Sequence, residues 1–210
     1  MEKLGNITLY NADCMDILKQ TPDKYYSLCI VDPPYGIGHS LLSGEKRGSK
    51  FVRTKRHVDW DISPNEDYFV ELFRVSKNQI IWGGNYFIDY LYNTQCFIIW
   101  DKKQPMDFSL SMCEMAWTSF LSPAKIFTQS VLKEQMKIHP TQKPVQLYKW
   151  ILNKYAKAGD TILDTHLGSG SSAIAAHDGG FEFTGIELDE EYYNAAKERI
   201  ILHQRQLNIF

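Results

Sequence analysis

At 210 residues, with 44% hydrophobic and 23% charged side chains, the chain has the length and composition of one globular domain spanning residues 1–210. Its longest apolar runs, such as residues 96–100, fall far short of the roughly 20 residues a membrane-spanning helix needs, which argues against a membrane protein. A net charge of −2 at pH 7 gives no overall attraction for polyanions, so any nucleic-acid surface has to come from a local cluster.

Residues 7–10 read as a strand, and Asp13 as the cap of a short helix that Thr21-Pro22-Asp23 brings to an end. Residues 27–31 form a buried strand that stops at Asp32-Pro33-Pro34, because prolines remove ladder donors and restrict the residue before them. Asp32 is therefore expected at a strand's carboxyl end. Residues 36–60 have no clean period and are rich in Gly, Ser, Lys and Arg, so the expectation is a mobile functional loop. Lys46, Arg47, Lys50, Arg53, Lys55 and Arg56 stand in it with no acid among residues 46–56.

Ser63-Pro64 opens a helix, with Glu66 completing a capping box and Tyr68, Phe69, Leu72, Phe73 and Val75 on the apolar face. Residues 79–82 are the next buried strand, 85–91 a short helix and 96–100 a further strand. Within 101–138 only 115–118 looks strand-like. Pro144 begins a helix running to Ala156. A strand over 161–164 then leads through Thr165-His166-Leu167-Gly168-Ser169-Gly170 into a small-residue helix over 171–177, which Gly179-Gly180 ends. Residues 181–187 are another strand, and Asp189 caps the last helix, with Glu190 and Glu191 in its first turn. This alternation predicts an α/β sheet covered by helices.

The four cysteines have no CxxC spacing and the six histidines no ligand spacing, so no metal site is expected. The first residues lack the apolar run of a secretory signal, and the expectation is a cytoplasmic protein with reduced thiols. The five tryptophans, Trp60 among them, read as core or cleft packing.

Two constellations carry chemistry. In the first, Asp164, Gly168 and Gly170 lie in a strand-to-helix turn where backbone can approach a ligand, and Glu187 ends the next strand, placed to take ribose hydroxyls. By itself this pattern also satisfies the loose dinucleotide fingerprint, so a nicotinamide-dependent oxidoreductase stays open. In the second, Asp32-Pro33-Pro34-Tyr35 puts a carboxylate, a backbone carbonyl on a stiff turn and an aromatic ring in one short segment. A base amino group is a poor nucleophile because its lone pair is delocalised; two acceptors on its N–H bonds and an aromatic stacking platform would activate it.

Together these segments resemble the amino-methyltransferases of DNA, which move a methyl group from S-adenosylmethionine (SAM) to an exocyclic base nitrogen. Asp32-Pro33-Pro34-Tyr35 matches their catalytic motif, Asp164 to Gly170 their SAM-binding glycine motif, with Gly168, Ser169 and Gly170 in place, and Glu187 their ribose-binding acid. His139-Pro140-Thr141-Gln142-Lys143-Pro144 is similar to their other SAM-binding segment, which implies cofactor contacts for His139, Thr141, Gln142 and Lys143. Asn11-Ala12-Asp13-Cys14 resembles the piece that meets the adenine of the cofactor, implicating Asp13 and Cys14. The catalytic motif precedes the cofactor motif, the permuted order of the β class. One departure stands out: the family usually has Pro-Phe after the acid of the glycine motif, the phenylalanine walling the cofactor, whereas this chain has Thr165-His166.

The resemblance implies a Rossmann-like SAM-dependent methyltransferase fold with a mostly parallel, seven-stranded sheet. It implies a site-specific enzyme acting on DNA, with adenine N6 favoured by Asp before Pro-Pro-Tyr and cytosine N4 as the alternative. Phosphate contacts would fall to the basic loop 36–60, and target recognition to 101–138, where Lys125, Lys133 and Lys137 could reach the backbone. The class also admits a homodimer and an accompanying restriction enzyme. A catalytically silent nucleic-acid-binding relative is the remaining rival.

Overall fold

The computed structural model describes residues 1–37, 41–47 and 50–56 (these two as backbone), 61–104, 111–130, 138–139 and 141–207. The chain begins with β1 (Glu2–Leu4), β2 (Ile7–Asn11), α1 (Cys14–Gln20) and β3 (Tyr26–Val31), then β4 (Leu41–Arg47) and β5 (Lys50–Arg56). It continues with α2 (Glu66–Val75), β6 (Ser76–Trp82), a 3-10 turn at Gly84–Tyr86, β7 (Phe97–Asp101), β8 (Cys113–Thr118) and β9 (Lys125–Thr128). The last third holds α3 (Val145–Tyr155), β10 (Thr161–Asp164), α4 (Ser171–Asp178), β11 (Glu182–Glu187) and α5 (Glu190–Leu207).

Among the described residues the main sheet has nine strands, in the order β1-β2-β11-β10-β3-β6-β8-β7-β9. Strands β2, β11, β10, β3 and β6 are mutually parallel, while β8 runs antiparallel between β6 and β7. This corrects the expected seven strands: β1 and β9 are added at the two edges. Both are short, three and four residues, and neither carries a continuous apolar run.

Alternation along the central strands builds two cores, since successive side chains in a strand face opposite ways. Leu28 and Ile30 of β3 join Leu147 and Ile151 of α3, Ala173 and Ile174 of α4, and Ala196 and Ile200 of α5 on one face. Cys29 and Val31 join Leu18 of α1 and Tyr68, Phe69 and Leu72 of α2 on the other. The strands read as buried for this reason, covered on both sides.

Helix starts follow their caps. Asp13 accepts from Met15 N at 2.8 Å as expected for α1, but α2 starts later than the Ser63-Pro64 reading, because Asn65 supplies the capping oxygen to Tyr68 N. The short helix expected over 85–91 is reduced to the 3-10 turn. Within 36–60, β4 and β5 pair antiparallel from Leu41↔Arg56 to Arg47↔Lys50, so this range holds a two-stranded ribbon where an irregular loop was expected. Trp60 lies outside the described residues. Residues 101–138, expected as a target-recognition insertion, supply β8 and β9 to the main sheet, β8 because its Ala116, Trp117 and Thr118 are buried there.

Gly84 sits where the 3-10 turn crosses β8, and a Cβ there would stand 2.5 Å from Trp117 Cβ and 3.0 Å from its amide nitrogen. Gly84→Ala should destabilise the fold by about 1–3 kcal/mol through overpacking, read as a lower urea midpoint with an unchanged slope.

Candidate active site

Parallel pairing places the strand ends side by side. Asp164 ends β10, Glu187 ends β11, Asp32 follows β3 and Gly83 follows β6, all along one edge of the sheet. This is where open α/β sheets hold their ligands, beyond the carboxyl ends of the strands.

Asp32 is held from two directions. Tyr35 donates its hydroxyl to Oδ1 at 2.7 Å, and Lys143 donates from Nζ to Oδ2 at 2.5 Å. Lys143 also pairs with Glu114 at 3.0 Å, and the far oxygen of Glu114 meets Lys102 at 2.6 Å. The result is a row of alternating charge, Asp32, Lys143, Glu114, Lys102, drawn from four separate stretches of chain. The Lys143 ammonium lies 5.1 Å from the Trp82 ring centre and that of Lys102 5.3 Å from Trp100, aromatic faces that favour a cation. Burial alone would push the Lys143 pKa down, but Asp32 and Glu114 outweigh it and raise it. Burial would likewise raise Glu114; Lys143 and Lys102 reverse that and hold its carboxyl at about 2.

The Tyr35 ring stacks on Tyr86 with centres 4.8 Å apart and meets the edge of Phe87. Gly83, at φ +67°, lies so close that a Cβ would fall 2.2 Å from the ring, so only glycine leaves Tyr35 this place. Burial first, then Asp32, raises the Tyr35 phenol well above its ordinary range, and it is a donor at neutral pH.

The two acids of the glycine turn are fixed by backbone donors. Glu187 accepts from Gly168 N at 2.8 Å and Asp189 N at 3.1 Å. Asp164 accepts from His166 N at 3.1 Å and Ser172 Oγ at 2.6 Å. Burial pushes Asp164 up to about 7, with Ser172 and the His166 amide opposing and the charges of Asp32 and Glu187 adding to the rise. Gly168 and Gly170 both have positive φ, and the His139 ring lies over Gly168.

Most of the expected site residues therefore meet at one edge. His139 packs on Tyr192 at 4.3 Å and pairs with Thr141 Oγ1 at 3.1 Å, while the Gln142 side chain accepts from Ile138 N, so the 138–143 segment is braced against the glycine turn. Pro140 lies outside the described residues. Burial, followed by the charge of Lys143, lowers His139 to about 4. Ser169 is buried with its hydroxyl 3.0 Å from Ser171 Oγ. Asp13 and Cys14 sit at the start of α1 beside this edge, the Cys14 thiol pushed up to about 12 by burial and by Asp13. Pro33 is buried and Pro34 half-buried. Lys46 and Arg47 fall in β4, and Lys50, Arg53, Lys55 and Arg56 in β5. Lys125 opens β9, whereas Lys133 and Lys137 lie outside the described residues.

The Lys143 ammonium pairs with the two carboxylates Asp32 and Glu114. Glu114 and Lys102 were not anticipated. The available signal is a single acid inside the otherwise apolar and half-buried β8, a pattern that asks for a buried cation.

Residues 111–198 match the family model described as DNA methylase, N6_N4_Mtase. The Type II methyltransferase M2.LlaDCHI of Lactococcus lactis subsp. cremoris is 24% identical over 93% of this chain and 89% of its own length. Among solved structures, the M1.HpyAVI–SAM complex shares the fold with a TM-score of 0.61 and 23% identity, covering 92% of this chain and 99% of that one. The PvuII DNA methyltransferase, described as cytosine-N4-specific, shares it with a TM-score of 0.64 and 14% identity, covering 98% and 94%.

The low Glu114 value carries a pH signature. Its carboxyl releases its proton more readily folded, at about 2 against the ordinary 4.5, so its contribution to stability is full above about 4.5 and is lost as pH falls through 2. In urea titrations, the stability gap between wild type and Glu114→Gln should narrow across that interval.

Proposed function

We infer that this chain is a DNA methylase of the N6/N4 family and methylates DNA on the exocyclic N6 of adenine with SAM as methyl donor. The observation that carries the reading is the position of the Asp32-Pro33-Pro34-Tyr35 turn: it follows the strand that pairs with β10, so the acceptors for a base amino group stand beside the glycine turn.

The residues at the strand ends fit SAM. Asp13, Asp32, Asp164 and Glu187 gather acidity there, the nearby Lys143 is already neutralised by Asp32 and Glu114, and a cationic sulfonium is favoured by such surroundings. Glu187, fixed by two amides, has lone pairs left for ribose hydroxyls, and Gly168 and Gly170 leave the backbone bare along the turn. When bound, SAM supplies a methyl group on a positively charged sulfur, open to attack from the side opposite that sulfur.

The work of the chain is positioning. Asp32 accepts one amino N–H of the target base and the Pro33 carbonyl the other, which localises the nitrogen lone pair toward the methyl group. The Tyr35 and Lys143 hydrogen bonds fix the Asp32 carboxylate in orientation, and each oxygen keeps a lone pair for the base. Tyr35, backed by Tyr86, offers the stacking surface for a base taken out of the duplex. Asp32 is also the acceptor at hand for the proton that the nitrogen sheds after methylation.

Phosphate contacts are assigned to the basic ribbon β4–β5. Target recognition is assigned to the parts of 101–138 outside β8 and β9. Asp in place of Ser before Pro-Pro-Tyr supports adenine over cytosine.

The test is transfer of labelled methyl from SAM to unmodified genomic DNA, followed by digestion and identification of the nucleoside. N6-methyladenine is expected; N4-methylcytosine would move the target base while keeping the reaction class. Asp32→Asn should lower transfer at least about a hundredfold by misplacing the amino group, with a much smaller loss of SAM affinity from the missing charge. Near-wild-type transfer in that variant would overturn the assignment of Asp32.

A further inference from the structure

The two residues that depart from the family's usual Pro-Phe are joined to a third by a buried row of hydrogen bonds. The Tyr68 hydroxyl of α2 lies 2.7 Å from Thr165 Oγ1, which lies 2.9 Å from His166 Nδ1. Tyr68 is 2% exposed, and burial raises its phenol well above the ordinary range, so the hydroxyl keeps its proton.

Counting protons along this row fixes its direction. Among the described residues, Thr165 is the hydrogen-bond partner of the Tyr68 hydroxyl, and a proton aimed elsewhere would be stranded in an apolar core. Tyr68 therefore donates to Thr165. The Thr165 proton then goes to His166 Nδ1, because the alternative, both neighbours donating to Thr165, strands the threonine proton instead. His166 Nδ1 is thus the acceptor nitrogen, and the imidazole proton resides on Nε2. Burial lowers the His166 pKa to about 4, so the ring is neutral near pH 7. The ring meets that of Tyr68 in a T-shaped contact, with centres 5.5 Å apart and planes at 70°.

Nε2 has no hydrogen-bond partner among the described residues, and strand order says what it faces. His166 follows β10, which lies between β11, ending in Glu187, and β3, followed by Asp32. With the ribose at Glu187 and the reacting amino group at Asp32, the sulfonium and the methionine arm of SAM fall between them, above the turn that His166 opens. The strongest acceptor on that arm is its carboxylate. We propose that His166, oriented through Thr165 and Tyr68, donates a hydrogen bond from Nε2 to the carboxylate of SAM. A neutral ring provides this donor without setting a positive charge beside the sulfonium. The proposal rests on the reading of this edge as a SAM site.

Titration calorimetry with SAM and with decarboxylated SAM, on wild type and on His166→Phe, isolates the contact, since every other carboxylate partner is present in both proteins. His166→Phe places the residue usual in the family, keeping a flat ring while removing Nε2. Removing the carboxylate should cost wild type about tenfold more affinity than it costs the variant, the value of a hydrogen bond to a charged group. Nitrogen-15 spectra of the histidine side chains should show His166 with its proton on Nε2, and Thr165→Val should mix the two tautomers and weaken SAM toward the level of His166→Phe. Equal decarboxylation penalties in the two proteins, or a proton on Nδ1, would overturn the proposal while leaving the SAM site standing. Absence of SAM binding by wild type would overturn the site reading, and this contact with it.

Discussion

Lys143 carries a full positive charge into a place where its side chain is 2% exposed, and the candidate site is organised around that fact. A buried ammonium is tolerated only when carboxylates and hydrogen bonds replace the water it has lost. Asp32 and Glu114 do so here, Lys102 balances the second of them, and Trp82 offers its face. These groups come from the turn after β3, the end of β6, the residue after β7, the start of β8 and the segment before α3. None of them satisfies the charge alone, so the site forms as a unit when the sheet and α3 are both in place. The same ammonium fixes the orientation of Asp32, which links packing directly to chemistry.

The other acids along this edge follow the same electrostatics to a different end. Asp164 has neutral donors, an amide and the Ser172 hydroxyl, and no cation; burial wins and its carboxyl rises to about 7. Glu114, with two ammonium partners, falls to about 2. Two carboxylates close to one sheet edge thus hold their protons with very different strength, and the difference is set by whether a lysine or a hydroxyl stands opposite. Glu187 lies nearer Asp164 in kind, held by backbone amides and raised by burial.

Much of the framework was legible in the chain. The central strands β3, β6 and β10 announced themselves as short apolar runs closed by proline, glycine or acid, β11 as the stretch between Gly180 and the next helix cap, α3 by its apolar period, α4 as a small-residue run between glycines and α5 by its Asp189 cap. The pairing of Asp32-Pro33-Pro34-Tyr35 with the glycine turn was readable because each segment sits at a strand end, where local sequence marks the boundary. What escaped depends on partners distant in sequence. Glu114 looks like one acid in a weak strand until Lys143 and Lys102 are brought to it. The row from Tyr68 to His166 spans 97 positions between Tyr68 and Thr165, and nothing local to either end shows it. The β4–β5 ribbon was missed for another reason: its residues are mostly polar and charged, so the alternation that marks a half-buried strand is not written in them.

The strand order has a bearing on how the chain reaches this shape. Strands β2 and β3 are near neighbours in sequence yet stand apart in the sheet, with β11 and β10 inserted between them. Those two inner strands are the last of the sheet to leave the ribosome. Until they arrive, β2 and β3 each present an unpaired edge and apolar faces with no sheet beside them, and the α3–α4–α5 side of the core has little to pack on. Early contacts are therefore confined to local pieces such as α1 with α2 and β3 with β6, and the closing step joins segments more than a hundred residues apart, including Asn6 with Phe181. Such a sheet waits, half assembled, for β10 and β11, and that interval is when its open edges are most exposed to misassociation.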